Sequence, residues 1–171
     1  MTLIEILVAT GLGGLVLGVA MTLNSYTARS FAAMANYVNL DQMSRSALDQ
    51  MSREIRQADK LTSYSPTRLD FRMIDPNSGA VSTLTYSYGT TTKTLTRAFN
   101  GQITVLLKEL QNLEFKMYQR TIVSNSWEQY QVTDPNLCKL VHLNWTCSRK
   151  LLGRSINSES VQSARVVMRK A

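Results

Sequence analysis

The sequence predicts an α+β chain in which one long N-terminal helix carries a small β-rich head. Two observations predict it. Residues 1–23 are almost wholly apolar and hold a single ionisable side chain, Glu5, whereas nearly all other charge lies after residue 28. Beyond Thr62 the apolar spacing changes from three- and four-residue steps to alternation punctuated by turn-forming clusters. The overall hydrophobic fraction, 44%, is ordinary, so the average conceals two different chains joined end to end. A length of 171 residues suits a small domain plus an extended element. The expected division is a helix over 1–60, apolar over 1–23 and amphipathic over 24–60, followed by a head over 61–171.

The first element is Met1 to Leu23. About 20 helical residues at a rise of about 1.5 Å cover a hydrocarbon core of about 30 Å, so this run is long enough to cross a bilayer. A cleaved secretory signal needs a basic first region and a small-residue cleavage site. This segment shows neither and reads as retained in the mature protein. Four glycines, Gly11, Gly13, Gly14 and Gly18, fall within it. Glycine costs about 1 kcal/mol relative to alanine in a helix in water, but in lipid it lets helices approach closely. The spacing Gly14-x-x-x-Gly18 fits such contact.

From Leu40 the pattern is amphipathic. Leu40, Met43, Ala47, Leu48, Met51, Ile55 and Ala58 recur at helical steps, with charged residues between them. Asp41–Arg45 and Asp49–Arg53 are acid-before-base pairs four residues apart, each worth a few tenths of a kcal/mol. A helix from residue 2 to residue 59 would be about 85 Å long. No globule of this size buries such a helix, so its first half must be covered by lipid or by copies of itself.

The head follows. Ser63 to Pro66 is a breaker. Arg68 to Met73 alternates, Asp75 to Gly79 is a turn by composition, and Val81 to Tyr88 and Thr92 to Phe99 read as strands. Asn100-Gly101 is a strong hairpin signal. Val105 to Met117 reads as a short helical turn followed by a strand. Gln129 to Thr133, Leu137 to Ser148 and Val161 to Lys170 are further strands, and Leu152 to Ser160 is a polar loop. The expected head is one antiparallel sheet, mostly of sequential hairpins, packed on the amphipathic half of the helix.

The two cysteines, Cys138 and Cys147, form an even pair, which in an exported protein suggests a disulfide. The segment between them reads as a strand, and nine extended steps would separate its ends by roughly 30 Å. A disulfide tolerates at most about 7 Å between Cα atoms. Either the segment bends back or the two are not joined to each other. The single histidine, His142, has no second imidazole or carboxylate cluster beside it and reads as an ordinary strand residue. Asn144-Trp145-Thr146 matches the N-glycosylation pattern.

Thr2-Leu3-Ile4-Glu5 followed by Ile6-Leu7-Val8-Ala9 resembles the N-terminus of the type IV pilin family. The close match covers the first 25 or so residues, and the helix-then-sheet plan covers the rest less specifically. Asp49 to Ala58 also resembles the helix end of larger minor pilins and of one class of type II secretion pseudopilins. In that family a prepilin peptidase removes a short basic leader and the new N-terminal residue is methylated. The resemblance implies Met1 as that residue; phenylalanine is usual there, and methionine departs from it. It implies that Glu5 pairs with the terminal amine of a neighbouring subunit. Physics agrees, since a carboxylate in hydrocarbon costs several kcal/mol unless paired; the alternative is a Glu5 that reaches the headgroups. Leu3, Ile4, Ile6, Leu7, Val8, Gly14 and Gly18 would then pack a filament core.

Three function classes follow. The first is a structural subunit that polymerises with itself, held in the inner membrane before assembly and then placed in an extracellular filament, or in the periplasm for a pseudopilin. Its other partners would be the peptidase and the assembly machinery. The second is a binding module. The net charge is +7, partly gathered in Arg149, Lys150, Arg154, Arg165, Arg169 and Lys170, and a basic surface attracts nucleic acid, anionic lipid or acidic polysaccharide as well as serving solubility. Arg149, Lys150 and Arg154 form the candidate patch for DNA or anionic surfaces, with Tyr86, Tyr88, Tyr118, Trp127 and Tyr130 as stacking candidates. The third is an enzyme, which is not expected: there is no Ser/His/Asp set, no glycine-rich phosphate loop and no metal-spaced ligand group. No cofactor or metal is implied.

Overall fold

The computed structural model describes residues 2–120, 128–149 and 159–168. It has the expected α+β architecture. Helix α1 runs over Leu3–Gln57 without a break, about 80 Å at the usual rise per residue. It ends because Ala58 turns extended (φ −64°, ψ 136°) while its N–H still donates to the Glu54 and Ile55 carbonyls.

The described head contains nine strands. They are β1 (Lys60–Ser65), β2 (Arg68–Ile74), β3 (Val81–Gly89), β4 (Thr94–Phe99), β5 (Gln102–Leu107), β6 (Leu110–Arg120), β7 (Gln129–Gln131), β8 (Leu140–Ser148) and β9 (Glu159–Val167). A 3-10 turn, Pro135–Leu137, precedes β8. The first five strands form a sequential antiparallel meander, β1-β2-β3-β4-β5, and the rest form a second sheet ordered β7-β6-β8-β9. The expectation of one sheet is therefore corrected to two. The chain changes sheet between β5 and β6, where Glu109 adopts a positive φ of 62°, and its carbonyl accepts from the Ser148 N–H.

Turn chemistry sets the register of the meander. Asn100 and Gly101 both have positive φ, 50° and 78°, the geometry that suits a two-residue hairpin between twisted strands. Phe99 and Gln102 pair across it. At the β2–β3 turn the Asp75 carboxylate accepts from the Asn77 N–H at 2.9 Å and the Ser78 hydroxyl at 2.7 Å, and Gly79 takes the left-handed φ of 69°. Two expectations fail here. Lys60–Ser65, read as helix end and breaker, is an edge strand. Val105 to Met117 holds no helical turn but the end of β5 and most of β6. Both are short apolar–polar stretches whose state is decided by the strand each pairs with.

Helix and sheets share one core. From α1 it takes Leu40, Ala47, Met51 and Ile55, with Met43 and Leu48 partly buried against it. The first sheet adds Phe71, Leu84, Tyr86 and Leu95, and the second adds Phe115, Leu143, Trp145 and Val166. The amphipathic stripe of the sequence is thus the face that packs, chiefly against β9 and also against β5 and β8. The polar Leu152 to Ser160 stretch falls outside the described residues as far as residue 158; Glu159 and Ser160 begin β9.

Cys138, two residues before β8, and Cys147, near the end of that strand, are both buried and are not joined to each other. The strand between them is straight enough to pair with two neighbours throughout. That is the second of the two outcomes left open by the sequence.

Candidate assembly site

Among the described residues, α1 has no buried side chain before Leu40. No residue of its apolar N-terminal window is buried. Leu3, Ile4, Ile6, Leu7 and Val8 are 54% to 80% exposed. Twelve large apolar side chains between Leu3 and Leu23 are exposed in all. At about 1.5–3 kcal/mol for each burial, they represent on the order of 20–35 kcal/mol of unrealised stabilisation. A domain of this size has a net stability of only about 5–15 kcal/mol. The arm is by length and composition compatible with a membrane-crossing or filament-forming helix.

Its polar groups are managed locally. The Thr2 N–H donates to Glu5 Oε2 at 2.8 Å. The carboxylate thus caps the helix start, where unpaired N–H groups and the helix dipole favour negative charge. The pattern Thr2-x-x-Glu5 is that of a capping box, a signal the reading of Glu5 as a pairing residue passed over. Thr10, Thr22 and Thr27 donate their hydroxyls to the carbonyls of Ile6, Gly18 and Leu23 at 2.9, 2.6 and 2.7 Å. This hides hydroxyl groups within the helix.

Gly14 and Gly18 lie one turn apart on one side, and Gly11 joins them. A Cβ added at any of these three meets nothing within 4 Å, so the groove they form is open to a neighbour rather than filled by this chain. Glu5 lies nine residues before Gly14, about two and a half turns, and so on the opposite side of the helix. The carboxylate and the glycine groove face different directions.

The head grips the helix from Asn36 onward. The Arg149 guanidinium donates to Asn36 Oδ1 at 3.0 Å and to Glu109 Oε2 at 2.6 Å. Asp41 accepts from the Gln162 amide at 3.0 Å and the Ser160 hydroxyl at 3.4 Å. Buried Ser44 accepts from the Trp145 ring N–H at 2.6 Å, which explains a serine in the core stripe. Farther along, the Glu54 carboxylate accepts from Arg97 Nε at 2.9 and 3.0 Å and from the Tyr86 hydroxyl. Burial alone would raise the Glu54 pKa, but the bonds from Arg97, Tyr86 and Gln50 outweigh it and hold the carboxyl below its ordinary range. Burial and the Glu54 charge push the Tyr86 phenol up. Apart from Gln50, four residues before Glu54 on the same helix, none of these partners was legible from spacing, since each pair is separated by tens of residues in sequence.

The candidate anionic patch is not assembled by the described residues. Arg149 is a strut between helix and head, and Lys150 and Arg154 lie outside the described residues, as does Met1. The stacking candidates do not gather either. Tyr86 is in the core, Tyr88 is half-buried on the inner side of the first sheet, Tyr118 is on the second sheet, and Trp127 is outside the described residues. His142 Nε2 and Ser163 Oγ are 2.8 Å apart on the outer face of the second sheet. A hydrolytic triad needs an acceptor that orients the other ring nitrogen, and His142 Nδ1 has no hydrogen-bond partner among the described residues. Among the described residues no group of three or more His, Cys, Asp or Glu side chains is placed to hold a metal. Asn144 sits mid-strand in β8, paired on both sides.

No family model matches the chain, and no match was found among curated proteins or among solved structures.

Proposed function

We propose that the chain is the structural subunit of a type IV pilus-like filament, assembling through its hydrophobic N-terminal helix. The observation that carries this reading is the uncovered apolar arm, projecting from a head that grips only the second part of the same helix. Before assembly the inner membrane covers the arm; in the filament, neighbouring arms do. A bundle of such helices forms the core and the heads form the outer layer. Transfer from lipid to bundle is close to neutral in apolar area, so packing and polar pairing decide it. The open Gly11–Gly14–Gly18 groove permits close approach on one side. On the other side, Glu5 exchanges its bond with the Thr2 N–H for, or shares it with, the terminal ammonium of a staggered neighbour. The pairing offsets the cost of a carboxylate in apolar surroundings. Two contact directions on one helix suit a subunit surrounded by copies of itself. Prepilin peptidase and the assembly machinery are the other partners of this reading.

The same reading includes minor pilins and periplasmic pseudopilins, and abundance separates them. The test is to shear filaments from native cells and take the intact mass of the dominant protein. A mass of residues 1–171 plus one methyl identifies a processed major subunit. A chain present in the envelope and in trace in the sheared fraction identifies a minor or pseudopilin subunit. A chain that never associates with filament or envelope sinks the reading. On assembly, the glycine-rich stretch is where helix would loosen, because glycine lowers helix propensity. Continuous α-helix through residues 10–20 in a filament map would show this last point to be wrong.

A further inference from the structure

Strand register on the second sheet brings basic side chains of three strands into one row. Lys116 of β6 pairs with His142 of β8, which pairs with Arg165 of β9. The row crosses the outer face, away from α1, and spans about 10 Å at the usual strand spacing. His142 stands between the two cations, so Lys116 and Arg165 face each other across it rather than as a direct pair. Arg165 Nη1 reaches Gln129 Oε1 of β7 at 3.5 Å. Since β7 and β9 are the two outer strands, the guanidinium lies across the sheet over its central strands. Glu114 pairs with Lys116 at 3.1 Å and offsets part of the charge. The neighbouring row holds Glu114, Asn144 and Ser163, with Thr146 beyond, and half-buried Tyr118 flanks the basic row.

We propose that this outer face, centred on Lys116, His142 and Arg165, is a binding site for an acidic polysaccharide, taking a uronate carboxylate on Arg165 and Lys116. A guanidinium fork matches a carboxylate in two parallel hydrogen bonds. Asn144, Ser163 and Gln129 offer neutral donors and acceptors for the sugar hydroxyls on either side, and the Tyr118 ring offers an apolar edge for a sugar face. A nucleic-acid strand carries a phosphate at every residue and calls for a track of cations with exposed aromatic platforms. This face sets Arg165 and the Glu114-paired Lys116 among amides and hydroxyls, which fits a ligand with few charges and many hydroxyls. The surface lies on the side of the head opposite the helix, so binding is compatible with assembly through the arm and does not depend on it.

His142 provides the reporter, being the only histidine of the chain. Burial lowers its pKa first, then the charges of Arg165 and Lys116, with Glu114 opposing. A carboxylate seated on the two cations removes their repulsion, so ligand binding raises that pKa.

The experiment uses the full chain in detergent micelles, with alginate fragments as the probe, dextran as the neutral control and a single-stranded oligonucleotide as the competitor. His142 ring resonances are followed through a pH titration with and without alginate. The expected result is an upward shift of the His142 titration with alginate and none with dextran. Arg165→Gln and Lys116→Gln should each weaken alginate binding about tenfold, the value of one charge-assisted hydrogen bond. Arg56→Gln, which removes the same charge from the exposed helix end, should leave it unchanged. Equal weakening by Arg56→Gln, or tighter binding of the oligonucleotide at the same His142 site, overturns the proposal. An unmoved His142 titration at saturating alginate overturns it as well, whatever the variants do.

Discussion

Replacing Glu54 by alanine tests how the head is fixed to its helix. The carboxylate is the only described acceptor for the Arg97 side chain and the Tyr86 hydroxyl. Both members of the ion pair are 18% exposed and Tyr86 is fully buried. Breaking a fully buried pair costs about 3–5 kcal/mol. Here Arg97 also lies over the Phe99 ring, 5.0 Å from its centre, and retains some access to water, so its share falls towards the ~1.5–3 kcal/mol of a charged hydrogen bond. The stranded Tyr86 hydroxyl, with no water to turn to, adds about 1–3 kcal/mol. Together Glu54→Ala should cost about 3–4 kcal/mol, a drop in Tm of roughly 10–20 °C for a domain of this size. Thermal melts in detergent, followed by near-ultraviolet circular dichroism of the buried Trp145, measure it. Tyr86→Phe separates the two parts. In the Glu54→Ala background it removes the stranded hydroxyl, so it should be neutral or stabilising, whereas in the wild type it should destabilise. A Glu54→Ala cost under about 1 kcal/mol, or an equal Tyr86→Phe cost in both backgrounds, would refute the reasoning.

Acid should act through the same residue. The folded Glu54 carboxyl lies below its ordinary value of 4.5, so its contribution is complete above that pH and is lost as pH falls through the folded value. Glu54→Gln should therefore flatten the fall in Tm below about pH 4.5 while leaving the remaining pH dependence in place, as read by melts from pH 3 to 7. Ser44→Ala strands the buried Trp145 N–H and should cost about 1–3 kcal/mol by denaturant unfolding; Trp145→Phe added to it should cost less than in the wild type. Intact mass should be the same with and without reductant, and both thiols should react with an alkylating reagent only on unfolding, since burial also pushes the Cys147 thiol up; a mass lower by two hydrogens would restore the disulfide. Glu5→Gln should leave the chain in the membrane but deplete it from sheared filaments, measured by immunoblot of both fractions, and undiminished filament content would remove Glu5 from assembly.

Much of the fold was legible because its signals are local. The helix shows in the 3.6-residue spacing from Leu40 to Ala58, and its core stripe is the face that packs. Asn100-Gly101 fixed a hairpin because few residues other than these accept a left-handed backbone. The candidate assembly residues were legible for the same reason: a lone carboxylate in an apolar run conflicts with its surroundings wherever the run is placed. What failed was short and ambiguous. Lys60–Ser65 carries a serine-rich alternation that a loop shares, and Val105–Met117 crosses from one sheet to the other, which no periodicity marks. The pairing of Arg149 was missed in a different way. A list of basic residues does not show that one of them is already paired with Asn36 and Glu109.

By itself the sequence determined the division of the chain into a long apolar helical arm and an alternating, strand-rich head. Both follow from composition and period, which act through solvent and do not depend on distant contacts. Only the tertiary structure decided that the head is two sheets, that Glu54 joins Arg97 and Tyr86, that Ser44 meets Trp145, and that Lys116, His142 and Arg165 stand in one row. Those juxtapositions come from strand register and from packing between segments far apart in sequence. A one-residue slip of β8 would send His142 and Trp145 to the opposite face, and a slip of β9 would do the same to Arg165.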